Sequence, residues 1–137
     1  MSSQALIPPR SVLDSAPPGL PAKVLRSDAQ ALQAAREVAA VAREQAARRD
    51  QHRELPWAEI ELFTRSGLGS ISVPKAYGGP DVSFETVAEV FRLISAADPA
   101  LGQIPQNQFG MLQLLRLTAT PSQQAVLFRS VLDGWRI

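Results

Sequence analysis

Apolar residues recur at helical spacing along most of the chain after residue 26. In the first run, Leu32, Ala35 and Ala39 follow one another at intervals of three or four residues, which predicts one face of an α-helix. Ser27 with Gln30 three positions later forms a capping-box pattern, so the helix is expected to begin there. Because this face is rich in alanine, a second helix can approach it closely.

A basic cluster, Arg48 and Arg49 followed by His52 and Arg53, closes this first helical run. Cations are favourable at a helix C-terminus because the unpaired carbonyl groups there carry partial negative charge. One interpretation of the cluster is an anion-binding site. The other, which the polar neighbours favour, is a solvated helix end. His52 is the only histidine and has no serine and acid arranged around it, so we predict no catalytic residue there.

Proline and N-cap residues mark the helices that follow. Pro56 suits the first position of a second helix, and Ser83 suits the N-cap of a third. Asp98, followed by a proline, starts a fourth helix, which Pro105 is expected to break because an interior proline removes a hydrogen bond. Thr120 opens a second capping box. The residues predicted to form apolar faces are Trp57, Ile60 and Phe63, then Phe84, Phe91 and Ile94, then Met111, Leu112, Leu114 and Leu117, and finally Val131 and Leu132.

Residues 66–80 interrupt the helical pattern. Gly67 suits a helix end because glycine adopts left-handed backbone angles at little steric cost. The alternation from Leu68 to Val73 predicts a short extended segment, and the Gly-Gly-Pro sequence at 78–80 predicts a tight reversal before the third helix. No side chain here is arranged for catalysis, so a connector between helices is the favoured interpretation.

Composition limits the classes of function. The chain has 137 residues, a net charge of +1 and no cysteine, which argues against a nucleic-acid surface and excludes thiolate chemistry. No apolar run reaches the ~20 residues that span a bilayer. Neither metal-ligand spacing nor a phosphate-binding glycine loop is present. We therefore expect a cytoplasmic protein without a membrane partner, a nucleic-acid partner or a bound metal.

The pattern divides the chain into two parts. Residues 1–26 hold five of the eleven prolines and show no apolar periodicity, so a flexible tail is expected there. Residues 27–137 are expected to form one helical domain. The last three residues, Trp135 to Ile137, resemble the first step of a strand with no partner, so we expect a chain cut from something longer.

An amide-rich segment, Gly102 to Gln108, places three glutamines and an asparagine around Pro105. Amide side chains near such a break can bond the carbonyl groups that the proline leaves free, which is a purely structural role. Alternatively, they line a ligand cavity, where amides hydrogen-bond the edge of a ring. The spacing leaves both interpretations open.

Three stretches together resemble a known family. GLGSISVPKAYGG, AADPALGQIPQN and TATPSQQAVLFRSVLDG, in this order, are similar to the N-terminal helical domain of the acyl-CoA dehydrogenase superfamily. VLRSDAQAL, ELPWAEIELFTRSGL and the GQIPQN segment most resemble the sulfur-acquisition oxidoreductases, relatives of dibenzothiophene monooxygenase that use reduced flavin and oxygen. The resemblance implies an all-α fold, the N-terminal helical bundle of that superfamily, truncated before the β-domain.

The resemblance also implies a cofactor, partners and site residues. Full-length members add a β-domain and a C-terminal bundle, form tetramers, and hold FMN or FAD mainly between those two domains. We therefore expect a homo-oligomer in the full-length family and no tightly bound flavin in this chain alone. Asn107, Gln108 and Phe109 match the cofactor-binding or substrate-cavity neighbourhood. Members of the monooxygenase branch commonly carry histidine where this chain has Gln108, whose amide cannot titrate near neutral pH.

Two other functions compete with that of an organosulfur monooxygenase. One is an acyl-CoA dehydrogenase proper, which oxidises the Cα–Cβ bond of a thioester with bound FAD. The other is a non-catalytic helical domain that binds a partner through an uncovered face. The amide-rich segment after Pro105 favours the monooxygenase over the dehydrogenase.

Overall fold

A computed structural model describes residues 21–137. Within this range the regular structure is entirely helical, which confirms the all-α prediction. No helix in the range combines the length and the apolar character needed to cross a membrane. The predicted tail falls mostly on residues 1–20, which lie outside the described residues. Six α-helices follow in order: α1 (Asp28–His52), α2 (Trp57–Arg65), α3 (Phe84–Ala97), α4 (Pro99–Gln103), α5 (Gln106–Thr118) and α6 (Pro121–Leu132).

Helices α1 and α3 run parallel and form the centre of the main core. The first turn of α1 contacts the first turn of α3, and the last turn of α1 contacts the residue that follows α3. Ala31, Ala35 and Ala42 of α1 are fully buried, which confirms the alanine-rich face. Their small side chains let Val90 and Ile94 of α3 pack close to the α1 backbone.

Asp28 joins the N-termini of the two parallel helices. Its Oδ2 atom accepts hydrogen bonds from the Ser83 amide at 3.0 Å and from the hydroxyl groups of Ser83 and Thr86 at 2.7 Å. These bonds, led by that of Thr86, lower the pKa of Asp28 to about 2 because they stabilise the ionised carboxylate. One carboxylate thus complements the positive ends of two helix dipoles.

Arg49 joins the other ends of the same helices. Its guanidinium pairs with Glu59 of α2 and with Asp98, and it also donates to the Ala42 carbonyl at 2.9 Å. Only 6% of Arg49 is exposed, so the prediction of a solvated helix end is wrong for this residue. It holds for Arg48, whose side chain is 54% exposed. Asp98 also caps α4, since its second oxygen accepts from two backbone amides.

The first half of the connector over residues 66–80 is compact and buried, whereas Lys75, Ala76 and Gly78 in its second half are exposed. Leu68–Ser70 forms a 3₁₀ turn and residues 67–73 are all buried, so the prediction of an extended segment from Leu68 to Val73 is wrong. Because this turn is buried, it carries apolar residues that do not belong to one face of a strand. Their spacing happens to resemble the alternation of a β-strand. Gly67 has φ 88°, and a Cβ there would lie 2.3 Å from the Lys23 carbonyl oxygen, so glycine is required.

Helices α5 and α6 build a second, smaller core against the connector. Leu112 and Phe128 are fully buried in it. Pro105 separates α4 from α5, which confirms the predicted break. The Gln124 amide of α6 donates to the Leu115 carbonyl at 2.9 Å and thereby caps the C-terminal end of α5.

Several large apolar side chains are exposed. Phe84, which the pattern placed on the buried stripe of the third helix, is 78% exposed, so that prediction is wrong. Trp57, predicted as part of the apolar face of the second helix, is 65% exposed. Periodicity identifies an apolar face whether or not another element covers it. Met111, Leu114 and Leu117 of α5 are exposed as well, so α5 presents apolar surface beyond its contact with α6.

Candidate functional site

A wide groove separates α3 from α5 and has a volume of about 1160 Å³. Phe91 of α3 and Phe109 of α5 meet in it with ring centroids 5.0 Å apart and ring planes at 77°. This is the edge-to-face arrangement that aromatic rings favour. Phe84 and Leu117 also line the groove. Two of the exposed apolar side chains therefore belong to one concave surface.

The groove carries no net charge. Among the described residues that line it, the charged ones are Asp81 and Arg116, and Arg116 Nη1 donates to Asp81 Oδ1 at 2.8 Å. Gln106 and Gln113 of α5 add neutral amide groups. Because a charged ligand would lose hydration without finding an unpaired opposite charge, the groove suits a neutral and largely apolar ligand.

A smaller cavity of about 250 Å³ lies between α2, the start of α5 and the residues that follow α6. Its apolar walls include Ile60, Phe63 and Leu101, which are buried. Its polar lining includes Gln108 and Arg136. We refer to it below as the Gln108 cavity.

Gln108 anchors the start of α5 to the connector. Its Nε2 atom donates to the Gly69 carbonyl oxygen at 2.7 Å, and only 8% of the residue is exposed. A Cβ added at Gly69 would lie 3.0 Å from Gln108 Nε2. Glycine at position 69 and glutamine at position 108 therefore fit as a pair, because a larger residue at 69 would press on the amide.

The three predicted site residues do not line one common cavity. Phe109 lines the groove, whereas Asn107 and Gln108 line the smaller cavity. Successive residues of a helix point about 100° apart, so neighbours in sequence readily face different spaces. Their assignment to a cofactor or substrate site stays a prediction. Two groove residues were not predicted as site residues. The apolar pattern assigned Phe91 to the core alone. Arg116 was not identified because its partner carboxylate, that of Asp81, is 35 positions away.

The amide side chains around Pro105 do not hydrogen-bond the carbonyl groups that the proline leaves without a backbone partner. Gln103 Nε2 donates to Gln106 Oε1 at 3.0 Å, and Gln108 donates to Gly69. Within residues 21–137, no amide side chain of this segment donates to a carbonyl of α4. Gln103 and Gln106 line the groove, and Asn107 and Gln108 line the smaller cavity. That these amides bind a ligand stays a prediction.

The described residues offer binding surfaces rather than acid–base chemistry. Histidine lines neither the groove nor the Gln108 cavity, and the groove carboxylate is held in its ion pair. In the part of the chain that the structure covers, no three His, Asp or Glu side chains are placed to hold a metal ion. The arrangement can bind and orient a ligand.

The family described as "Acyl-CoA dehydrogenase, N-terminal domain" matches residues 27–134 of the chain. The match covers the six helices and the connector. It ends three residues before the last residue of the sequence.

Curated relatives of similar sequence include three enzymes with sulfur compounds or reduced flavin in their names. The chain is 33% identical over 97 residues to dibenzothiophene monooxygenase of Rhodococcus erythropolis, covering 71% of this chain and 23% of that protein. It is 32% identical over 93 residues to the probable FMNH2-dependent monooxygenase SfnC of Pseudomonas putida, covering 68% and 24%. It is 31% identical over 90 residues to 3-sulfinopropanoyl-CoA desulfinase of Variovorax paradoxus, covering 65% and 23%. The chain spans about a quarter of the length of these relatives.

A solved structure has the same fold over the matched part. Dibenzothiophene monooxygenase TdsC from Paenibacillus sp. A11-2 aligns with a TM-score of 0.71 and 32% identity, covering 77% of this chain and 27% of TdsC. The FMN-bound form of TdsC aligns with a TM-score of 0.70. By sequence and by fold, the chain belongs to the acyl-CoA dehydrogenase N-terminal domain family.

Proposed function

We propose that this chain is the N-terminal helical domain of a flavin-dependent oxidoreductase that uses reduced flavin and oxygen on organosulfur compounds. The observation that carries the proposal is the groove between α3 and α5, which is apolar and has no unpaired charge. Such a surface suits the wall of a cavity for a neutral sulfur heterocycle. The names of the relatives, dibenzothiophene monooxygenase and SfnC, support the same reaction class.

The described residues do not by themselves fit a whole flavin cofactor. A flavin phosphate needs unpaired cations or backbone amides, and the groove cation Arg116 is already paired with Asp81. The proposal therefore assigns flavin binding to other parts of a longer protein. In support, the chain covers only 26% of TdsC, which has been solved with FMN bound. The tetrameric assembly of the full-length protein and the cytoplasmic location stay predictions. For the cofactor, the prediction is a flavin, FMN or FAD.

Within this function, Phe109 is proposed to contact the substrate and Asn107 and Gln108 to face the cofactor side of α5. Gln108 is held by Gly69, so it can orient a neighbouring group. It cannot act as an acid or base near neutral pH. Any proton transfer would therefore depend on a residue other than Gln108.

The thioester alternative has one supporting observation. 3-Sulfinopropanoyl-CoA desulfinase is among the relatives, and its name specifies a CoA thioester. Against it stands the neutral groove, since the phosphates of CoA need cations that the groove does not leave unpaired. We therefore rank it below the monooxygenase. The exposed apolar side chains of α5 support a further alternative, a non-catalytic domain that binds a partner through this surface.

The test is a chimaeric enzyme in which residues 27–134 replace the matching helical domain of TdsC. We expect the chimaera to oxidise dibenzothiophene with reduced FMN and oxygen, and not to oxidise acyl-CoA. Phe91→Ala in the chimaera should lower kcat/KM about ten-fold, because an apolar contact in the groove is lost. The matched control, Val41→Ala, changes a half-exposed residue of α1 outside the groove and should leave the rate unchanged.

Two results would contradict the proposal. The first is a folded, FMN-binding chimaera that oxidises acyl-CoA in place of dibenzothiophene. The second is equal activity of the Phe91→Ala and Val41→Ala variants, which would remove the groove from the substrate site.

A further inference from the structure

One side of α5 is exposed in the described structure and yet carries no charge. Asn107, Gly110, Leu114 and Leu117 follow one another at intervals of three, four and three residues, which places them on one side of the helix, and all four are exposed. We call these four residues the α5 face. Arg116 is the single charged residue of α5, and it is already held in an ion pair. The exposed side of α1, by contrast, carries charges of both signs, as is usual for a helix side that meets solvent.

Gly110 has no role in the packing of the described residues. Apart from the neighbouring turns of its own helix, a Cβ added there would meet no heavy atom within 4 Å. Its φ is not among the positive values that favour glycine, so neither space nor backbone angle requires this residue. Glycine in a helix interior is less favourable than alanine. The open position at Gly110 therefore points to another element that approaches α5 from outside.

The α5 face is complementary to itself. Leu114 lies one turn after Gly110 on the same side of the helix, so a large side chain stands beside an open position. When two such helices pack antiparallel about a twofold axis, Leu114 of each copy lies opposite Gly110 of the other. The same register brings Asn107 opposite Leu117. Because neither face carries a charge, two copies approach without repulsion.

The exposed apolar area around the α5 face is sufficient for a dimer. Leu117 and Phe84 are 84% and 78% exposed, and Leu114 and Met111 are about half exposed. If large side chains present on the order of 150 Å² each, these four expose roughly 400 Å² of apolar surface. A standard interface covers about 800 Å² per partner, of which a little over half is apolar. A second copy therefore needs about the apolar area that this surface supplies.

We propose that the α5 face is a homodimer interface, in which a second copy of this chain packs its α5 antiparallel against the first and places its Leu114 beside Gly110. Gly110 and Leu117 also line the groove, so the second copy covers that edge of the groove. The proposal goes beyond the oxidoreductase function, because it names a contact surface of this domain and depends on no reaction.

The experiment is sedimentation equilibrium of the 137-residue chain from low to high micromolar concentration, where monomer and dimer should exchange with concentration. Leu114→Glu places a charge opposite Gly110 of the second copy and should raise the dimer Kd at least about ten-fold, because an unpaired charge is costly to bury. The matched control is Val41→Glu on α1. Val41 is 48% exposed and Leu114 is 49% exposed, and the control should leave the Kd unchanged.

Gly110→Ala separates the interface from the fold. The added methyl group fills the position that Leu114 of the second copy occupies, so the dimer Kd should rise about five-fold. The same change favours the helix, so the Tm of the monomer, measured below the dimer Kd, should rise by a few degrees. A variant that is more stable as a monomer and weaker as a dimer cannot be explained by misfolding.

Disulfide formation tests the direction of the two helices, since the chain has no cysteine of its own. Asn107→Cys chains are mixed with Leu117→Cys chains and oxidised. The antiparallel arrangement brings position 107 opposite position 117, so the disulfide between unlike chains should exceed the disulfides between like chains.

The proposal is overturned by a chain that stays monomeric at every concentration, or by equal weakening of the dimer in the Leu114→Glu and Val41→Glu variants. A chain that dimerises only after residues 1–20 are removed would also overturn it, because that segment and not a second copy would then cover α5. A preference for disulfides between like chains would overturn the antiparallel arrangement. The chimaera assay is independent of these outcomes, because it measures the oxidation reaction.

Discussion

At the scale of single residues, Arg49 and Arg48 show how adjacent arginines take opposite roles. Arg49 lies among two carboxylates and a carbonyl group with 7% of its side chain exposed. Arg48 pairs with Glu54 at 2.8 Å in solvent. Removing one member of a buried ion pair leaves an uncompensated charge, whereas an exposed pair contributes little.

We predict that Arg49→Met destabilises the domain by about 3–5 kcal/mol, because Glu59 and Asp98 lose their shared partner. The matched control Arg48→Met should cost less than about 1 kcal/mol. Urea unfolding followed by circular dichroism measures both. Equal losses in the two variants would contradict the prediction, because the buried triad would then stabilise the domain no more than the exposed pair does.

The sequence could not distinguish these two arginines. Both lie in the last turn of a helix, where cations are favourable. What separates them is the direction of each side chain and the position of Glu59 and Asp98, which are 10 and 49 residues further along the chain. The Arg116–Asp81 pair was not predicted either, because its partners are 35 positions apart. The exposure of Phe84 was missed because a local pattern does not show which elements cover a face.

At the scale of secondary-structure elements, the parallel arrangement of α1 and α3 places two positive helix ends side by side. Asp28 compensates both through its bonds to Ser83 and Thr86. Its pKa is lowered to about 2 from an ordinary value of 3.8. The associated stabilisation is therefore complete above about pH 4 and is lost as the pH falls through 2.

We predict that Asp28→Asn is less stable than the unmodified domain at pH 5 and that the difference shrinks as the pH falls from 4 to 2. The neutral amide cannot supply the charge that the helix ends favour. Unfolding free energies at several pH values provide the measurement. Asp50→Asn, an exposed change in the last turn of α1, serves as the control. A difference that stays constant with pH would show that the Asp28 charge is unimportant.

Helix ends were the best-predicted elements because their signals are local. The Thr120 cap, with the Gln123 side chain bonding back to it, and the break at Pro105 follow from side chains within three or four residues. The first cap differs in detail, since the Gln30 side chain accepts from the amide of Arg26 rather than from that of Ser27. Residues 68–73 were misjudged because burial from several sides, rather than a strand period, sets their apolar pattern.

At the scale of the whole molecule, α5 separates two spaces of different character. The groove is wide and apolar, and the Gln108 cavity is small with a buried amide. The amide-rich sequence indicated a cavity near Pro105, and this much was predictable. Phe109 and Gln108 line different spaces because of the way α2 and α3 pack around α5. No local sequence pattern predicts that packing.

We predict that the purified 137-residue chain carries no stoichiometric flavin, because its groove offers no unpaired cation for a phosphate. The visible absorption spectrum and a titration with FMN provide the measurement. The TdsC chimaera is the positive control, since it retains the remainder of an enzyme known in an FMN-bound form. A tight one-to-one complex of FMN with the isolated chain would contradict the prediction.

The contacts at the two ends of the α1–α3 pair also constrain the order of folding. Asp28 meets Thr86 and Arg49 meets Asp98 across 58 and 49 positions of sequence. On the ribosome, α1 therefore emerges about fifty residues before either contact can form, with an apolar alanine face still uncovered. Closing loops of this length carries an entropic cost before any contact compensates it. We expect α1 to acquire its protection from solvent exchange only when α3 is complete, so that the two helices become ordered together.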